Sequence, residues 1–123
     1  MRIYETLKEI AQQVFASYAE TKYQLPDAYQ GAGGEWAVEV ERIDFVEFQT
    51  YDRQAIAKAS GVIMFYLQNE NIDNAIETII TKIKQAINDV ASADLITINI
   101  EQVIPYAFTK AAVLVKLSCD FEI

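Results

Sequence analysis

The chain has 123 residues, of which 52% are hydrophobic and 23% charged, the make-up of one globular domain and not of a disordered or fibrous chain. Its net charge of −8 repels phosphate backbones, so sequence-general nucleic-acid binding is not expected. A single cysteine, Cys119, allows no internal disulfide, and the longest apolar run, Val62 to Leu67, is far too short to span a bilayer.

The N-terminal segment MRIYETLKEIAQQ has acidic and amide residues where a signal peptide needs an uninterrupted apolar stretch. A soluble product made in the cytoplasm and not secreted is therefore expected. In the same segment Ile3, Leu7, Ile10, Ala11, Val14, Phe15 and Tyr18 recur at spacings of three and four, which predicts a helix from Ile3 to Ala19. Residues 21–35, with Leu25-Pro26-Asp27 and Gly31-Ala32-Gly33-Gly34, read as a mobile loop, long for a connection inside a domain.

Trp36 to Tyr51 reads as a strand: Trp36, Val38 and Val40 alternate with Glu39 and Glu41, then the phase slips at Ile43 and Phe45 and again at Val46 and Phe48. A slip in a period-two pattern is the signature of a bulge or a strong bend. Tyr51-Asp52-Arg53-Gln54 reads as a turn, and Ala57 to Gln68 as a second strand pairing with the first in a long hairpin. The run Val62 to Leu67 within it predicts burial on both faces, near the middle of a sheet. Asn69-Glu70-Asn71 offers an N-cap, and Ile72, Ala75, Ile76, Ile79, Ile80, Ile83, Ile87 and Val90 form a helical stripe ending at Ala91-Ser92-Ala93-Asp94. So much isoleucine disfavours an isolated helix, so burial against a sheet must drive its formation. Ile96, Ile98 and Ile100 alternate with Thr97, Asn99 and Glu101 in a half-buried strand that Pro105 is expected to close. In the last strand Val113, Val115, Leu117, Cys119, Phe121 and Ile123 face one way, and Lys116, Ser118, Asp120 and Glu122 the other. The expected fold is one α+β domain over residues 1–123, in α-β-β-α-β-β order. Its four-stranded, mostly antiparallel sheet would carry two helices packed on one face.

The sequence contains no histidine, which removes the commonest general base and metal ligand. Cys119 falls in the inward phase of its strand, as a packed core thiol would. The glycine-rich stretch precedes a strand and is followed by Glu35, not by the helix and lysine of a phosphate-binding loop. Glu35, Glu39, Glu41, Asp44 and Glu47 cluster along one strand; a solvated face or an acidic functional surface suits them better than a catalytic pair or a metal site. Thr109-Lys110 and Lys82-Ile83-Lys84 are the only local concentrations of positive charge, and neither is a basic patch. Tyr23, Tyr29 and Trp36 bracket the loop; they are either a partner contact, since such residues are favoured at interfaces, or a cover for one end of the core. No catalytic residue, metal or cofactor is expected, and the chain reads as an association module, not an enzyme.

The whole-chain pattern of helix, glycine-rich loop, long charged hairpin, second amphipathic helix and final hairpin, in an acidic chain of this length, resembles the tail terminator and tail-completion proteins of long-tailed bacteriophages and prophages. The likeness is architectural and covers nearly all of the chain, but carries no motif from which residue roles transfer. It implies a ring of identical subunits, commonly a hexamer, that caps the tail tube, stops its growth and meets the head connector. Partners would be the chain itself, tail-tube proteins and head-connector proteins, first in the host cytoplasm and then in the virion. Under that implication Tyr23, Tyr29 and Trp36 are candidate interface residues, and Glu39, Glu41, Asp44 and Glu47 a candidate acidic lumen surface past which DNA slides. The alternative is a small-ligand-binding or regulatory α+β domain that acts as a dimer through its sheet.

Overall fold

The apolar run that starts at Val62 lies where its composition demands, in the middle of a sheet. In the computed structural model, which describes residues 2–45, 56–90, 95–107 and 111–122, this run belongs to strand β3 (Ile56–Tyr66). Residues 61–67 are all buried. β3 pairs antiparallel with β2 (Glu35–Phe45) on one side and β5 (Ala112–Glu122) on the other. β4 (Leu95–Tyr106) pairs antiparallel with β5, and the two-residue β1 (Ala19–Glu20) runs parallel to the start of β2. The sheet order is β1-β2-β3-β5-β4.

The helices α1 (Ile3–Val14) and α2 (Ile72–Asp89) lie on one face of this sheet. Ile3, Leu7, Ile10, Ala11 and Val14 of α1 and Ala75, Ile79, Ile83 and Ala86 of α2 meet Trp36, Val38, Ile63, Phe65, Val113, Val115, Leu117, Cys119 and Phe121. Asn71 caps α2, its side-chain oxygen accepting from the Asp73 and Asn74 N–H groups at 3.0 and 3.4 Å. Cys119 is buried in this core, and burial pushes its thiol up to about 12, with the Asp120 charge adding to the effect. At neutral pH it is a neutral packing group. Among the described residues no helix is long and apolar enough to cross a membrane.

The expected two-helix α+β architecture is present, with four corrections. α1 stops at Val14, not Ala19, because Phe15 turns extended and Phe15 to Tyr18 closes as a turn, Tyr18 N donating to Phe15 O at 3.0 Å. The apolar spacing of three between Phe15 and Tyr18 serves a turn as well as a helix. The freed chain then adds β1, which makes the sheet five-stranded and mixed instead of four-stranded. Pro105 does not close β4: it pairs with Val113 inside the strand, as proline can on a sheet edge. β4 also has register shifts between Leu95 and Thr97 and between Ile100 and Gln102, which put Leu95, Ile98, Ile100 and Val103 against the core and leave Ile96 out in solvent. The expected phase slip in β2 is a register shift between Val40 and Arg42, with Glu41 the extra residue. Val46 to Tyr51, the turn at Tyr51-Asp52-Arg53-Gln54, Ala91 to Asp94, Thr109-Lys110 and Ile123 lie outside the described residues.

α1 sits so close to β3 that one position must be glycine. A Cβ on Gly61 would come within 2.5 Å of Leu7 Cδ1 and 3.0 Å of the Glu39 carbonyl. Gly61→Ala is expected to lower stability by about 1–3 kcal/mol through overpacking, read as a lower urea midpoint at unchanged slope. An unchanged midpoint would contradict the close approach.

Candidate functional site

The sheet has a second face, and among the described residues the loop before β2 covers one end of it. There Ala37, Val62, Met64, Tyr66, Ala112 and Leu114 form a smaller apolar cluster, closed by Tyr29 with Tyr23 and Tyr106 at its margin. The cover is the glycine-rich loop. Tyr29 stacks on Tyr66 with ring centroids 3.9 Å apart and planes 9° off parallel. The Tyr66 hydroxyl donates to the Gln24 carbonyl and accepts from the Gln24 N–H at 2.8 Å. The Tyr29 hydroxyl donates to the Glu35 carboxylate and accepts from Gly33 N at 3.2 Å. Gly33 has φ +89°, and a Cβ there would overlap the Leu67 carbonyl, so the turn requires glycine. Gly34 N donates to Tyr66 O at 2.8 Å. The N–H groups of Gly33 and Gly34 are thus used inside the chain and do not form an anion cradle.

A second tyrosine–carboxylate pair ties the turn after α1 to the entrance of α2. The Tyr18 hydroxyl donates to Glu70 Oε2 at 2.5 Å and accepts from Gln68 N at 3.2 Å; Glu70 Oε2 also accepts from Gln68 N at 2.9 Å and Asn69 N at 3.1 Å. Burial works against ionisation of Glu70, but these donors outweigh it and its pKa is lowered. On the other side of α1, Glu20 of β1 accepts from the Tyr4 hydroxyl at 3.3 Å and meets Lys8 Nζ at 3.3 Å.

The other end of the second face is polar. Lys116 meets Glu41 at 3.7 Å, Ser118 donates to Glu101 at 2.6 Å, Thr97 donates to Asp120 at 3.2 Å, and Arg42 pairs with Asp44 at 2.7 Å. Glu39, Glu41 and Asp44 are exposed here, while Glu47 lies outside the described residues. The carboxylates do not converge on a pocket, and among the described residues no group of three or more metal-ligating side chains could hold a metal ion.

The interface candidates fare differently from one another. Trp36, 1% exposed, is on the helix side of the sheet, and Tyr29, 4% exposed, is under its own loop. Both serve the chain's own packing, the second of the two readings the sequence allowed; Tyr23 alone keeps partial exposure. Large apolar side chains lie exposed elsewhere, at the sheet margins. Phe45, 68% exposed, and Ile43 are on β2, and Ile96, 50% exposed, and Ile104 are on β4. The sequence offered one signal for these margins, the slipped phase of β2; nothing in the period of β4 marked Ile96.

These margins are also where hydrogen bonding is incomplete. Among the described residues β1 pairs with β2 only at Glu35 and Trp36, no second strand lies beside β2 from Ala37 to Phe45, and β4 is the last strand of the sheet. No family model and no curated protein matches this sequence.

Two measurements test the tyrosine anchors. Burial, together with the bonds to Glu70 and Glu35, raises the pKa of Tyr18 and pushes Tyr29 up to about 12. Burial likewise raises Tyr66 and Tyr23. A raised tyrosine stabilises the fold fully below its ordinary value near 10.0 and loses that contribution as pH climbs through the folded value. Loss of far-UV circular dichroism is therefore expected together with tyrosinate absorbance between about pH 10 and 12; complete titration near 10 with the fold intact would contradict the burial. Conversely, Glu70 is lowered, so its contribution is present above the ordinary carboxylate pKa and fades as pH falls through the folded value. Tyr18→Phe should cost about 1.5–3 kcal/mol at neutral pH, and the difference from wild type should shrink in acid.

Proposed function

We propose that this chain is a structural assembly protein of the phage tail terminator or tail-completion type, which forms a ring that caps the tail tube and joins it to the head connector. The observation that carries this reading is a pair of long strand edges on opposite sides of one sheet that no other strand among the described residues covers, β2 at residues 37–45 and β4 at 95–106. Proteins usually blunt such edges, because an unpaired row of N–H and C=O groups is a template for another chain. Here β4 is tempered by its two register shifts and Pro105, yet both edges keep large exposed apolar side chains. Two different surfaces on opposite sides of a subunit make head-to-tail contacts, and those close into rings when the rotation permits.

The polar end of the second face supports the lumen part of the reading. Glu39, Glu41 and Asp44 lie exposed there, Glu41 beside Lys116 and Asp44 beside Arg42, and the chain's net charge of −8 works against holding DNA. The helices occupy the opposite face, which leaves the sheet free to line a channel. The feature that favours the ligand-binding alternative is a recess of about 310 Å³ beside the loop, lined by Tyr29, Gly31, Ala32, Gly33, Leu67, Gln68 and Ala111.

Light scattering coupled to size exclusion tests the choice. The assembly reading expects a discrete closed oligomer of more than two subunits. A monomer or dimer whose melting temperature rises with a small ligand would overturn it. In the same rings, Glu39→Lys with Glu41→Lys is expected to preserve the mass and create DNA retention in a gel-shift assay. Charge-reversed rings that still ignore DNA would remove the lumen assignment.

A further inference from the structure

Beside β4, at the C-terminal end of α2, runs an open groove of about 390 Å³. It is lined by Ile87 and Val90 from the helix end and by Leu95, Ile96 and Ile98 from the strand, with Thr97 and Asn99 at its rim. On the opposite margin of the sheet, Phe45 and Ile43 of β2 are 68% and 36% exposed. We propose that the groove receives Phe45 and Ile43 of a second copy of this chain, and that β2 of that copy extends the sheet beside β4. This rests on the assembly reading above and specifies its contact.

Three features single out this occupant. The first is strand direction. β2, β3, β5 and β4 alternate in direction across the sheet, so β2 and β4 of one chain point opposite ways. A neighbour in the same orientation therefore sets its β2 antiparallel to β4 and continues the alternation.

The second is level. Phe45 pairs with Ala57, Ala57 with Phe121 and Phe121 with Leu95, so Phe45 and Leu95 are the two ends of one row across the sheet. A closed ring allows no rise along its axis. If the strands run along that axis, a neighbour's Phe45 arrives at the height of Leu95. Its side agrees as well: Ala59, the partner of Ile43, and Phe121, in the row of Phe45, belong to the core on the helix side. Ile87, Val90, Leu95 and Ile98, which line the groove, pack against that same core.

The third is charge. From Ala37 to Phe45, β2 carries Glu39, Glu41 and Asp44 against one cation, Arg42, so pairing it with a second β2 brings two net-negative strands together, which is unfavourable. β4 carries one charged residue, Glu101, and offers Thr97, Asn99 and Gln102 along the rest of that face. The acidic edge is therefore compatible with β4 and not with itself.

The test is complementation between two broken surfaces. Phe45→Glu spoils the projection and leaves the groove; Ile96→Glu spoils the groove and leaves the projection. Both positions are at least half exposed, so circular dichroism and melting should match wild type. Wild type is expected as a closed oligomer, each variant as a monomer, and the equimolar mixture as a one-to-one dimer that grows no further. The inference is overturned if the variants oligomerise like wild type, if only one of them is impaired, or if the mixture fails to dimerise; each of those results leaves the assembly reading standing. A wild-type chain that stays monomeric at the highest soluble concentration sinks both together.

Discussion

Backbone pairing in a buried strand is the constraint on which the rest of this structure depends. Residues 61–67 are buried on both sides, so their N–H and C=O groups must be satisfied by neighbouring strands, since water cannot reach them. β2 and β5 meet that demand along the full length of β3. The requirement then moves outward: β5 takes β4 as its other partner, and β2 takes only the two residues of β1. An open sheet must stop somewhere, and this one stops at two edges that differ in charge and in the shape beside them.

Burial on both faces also demands two covers, and the chain supplies unlike ones. On one side the isoleucine stripe of α2 and the apolar face of α1 form the main core. On the other, a loop with no regular structure lies over the aromatic end of the sheet. It is held by directed contacts: Tyr66 to Gln24, Tyr29 to Glu35, and the ring stack between Tyr29 and Tyr66. The loop reaches only part of that face. The part it leaves bare is where the ion pairs and hydroxyl–carboxylate bonds of β2, β4 and β5 lie. The fold thus separates a packed end from a charged, solvated end on a single sheet surface.

Much of the core was legible in the sequence because the relevant periods are long and uniform. The run from Val62 to Leu67 is buried on both faces, the alternation from Val113 to Phe121 faces the core, and of the stripe from Ile72 to Val90 all but Ile80 lie in or against the core. What escaped has specific causes. β1 is two residues with both side chains exposed, too short to show any period. Phe15 and Tyr18 keep helical spacing while forming a turn. β4 hides its inward face behind two register shifts, so Ile96 looked buried and is not. Trp36 and Tyr29 suit an interface by residue type, but a large aromatic beside a loop also suits closing a core, and here it does. The exposed margin could not be foreseen from composition, since Phe45 and Ile96 differ from core residues only in where the sheet ends.

In the proposed assembly the two edges meet in a neighbouring copy. Amide hydrogen exchange followed at dilute and concentrated protein tests this most directly, because it reads edge pairing strand by strand. The account predicts that amides of β2 between Ala37 and Phe45, and of β4 between Leu95 and Tyr106, slow together as concentration rises. β3 and β5, already paired on both sides, should hardly change. Edges that exchange equally fast at every concentration, or protection confined to the outer surfaces of the helices, would contradict it.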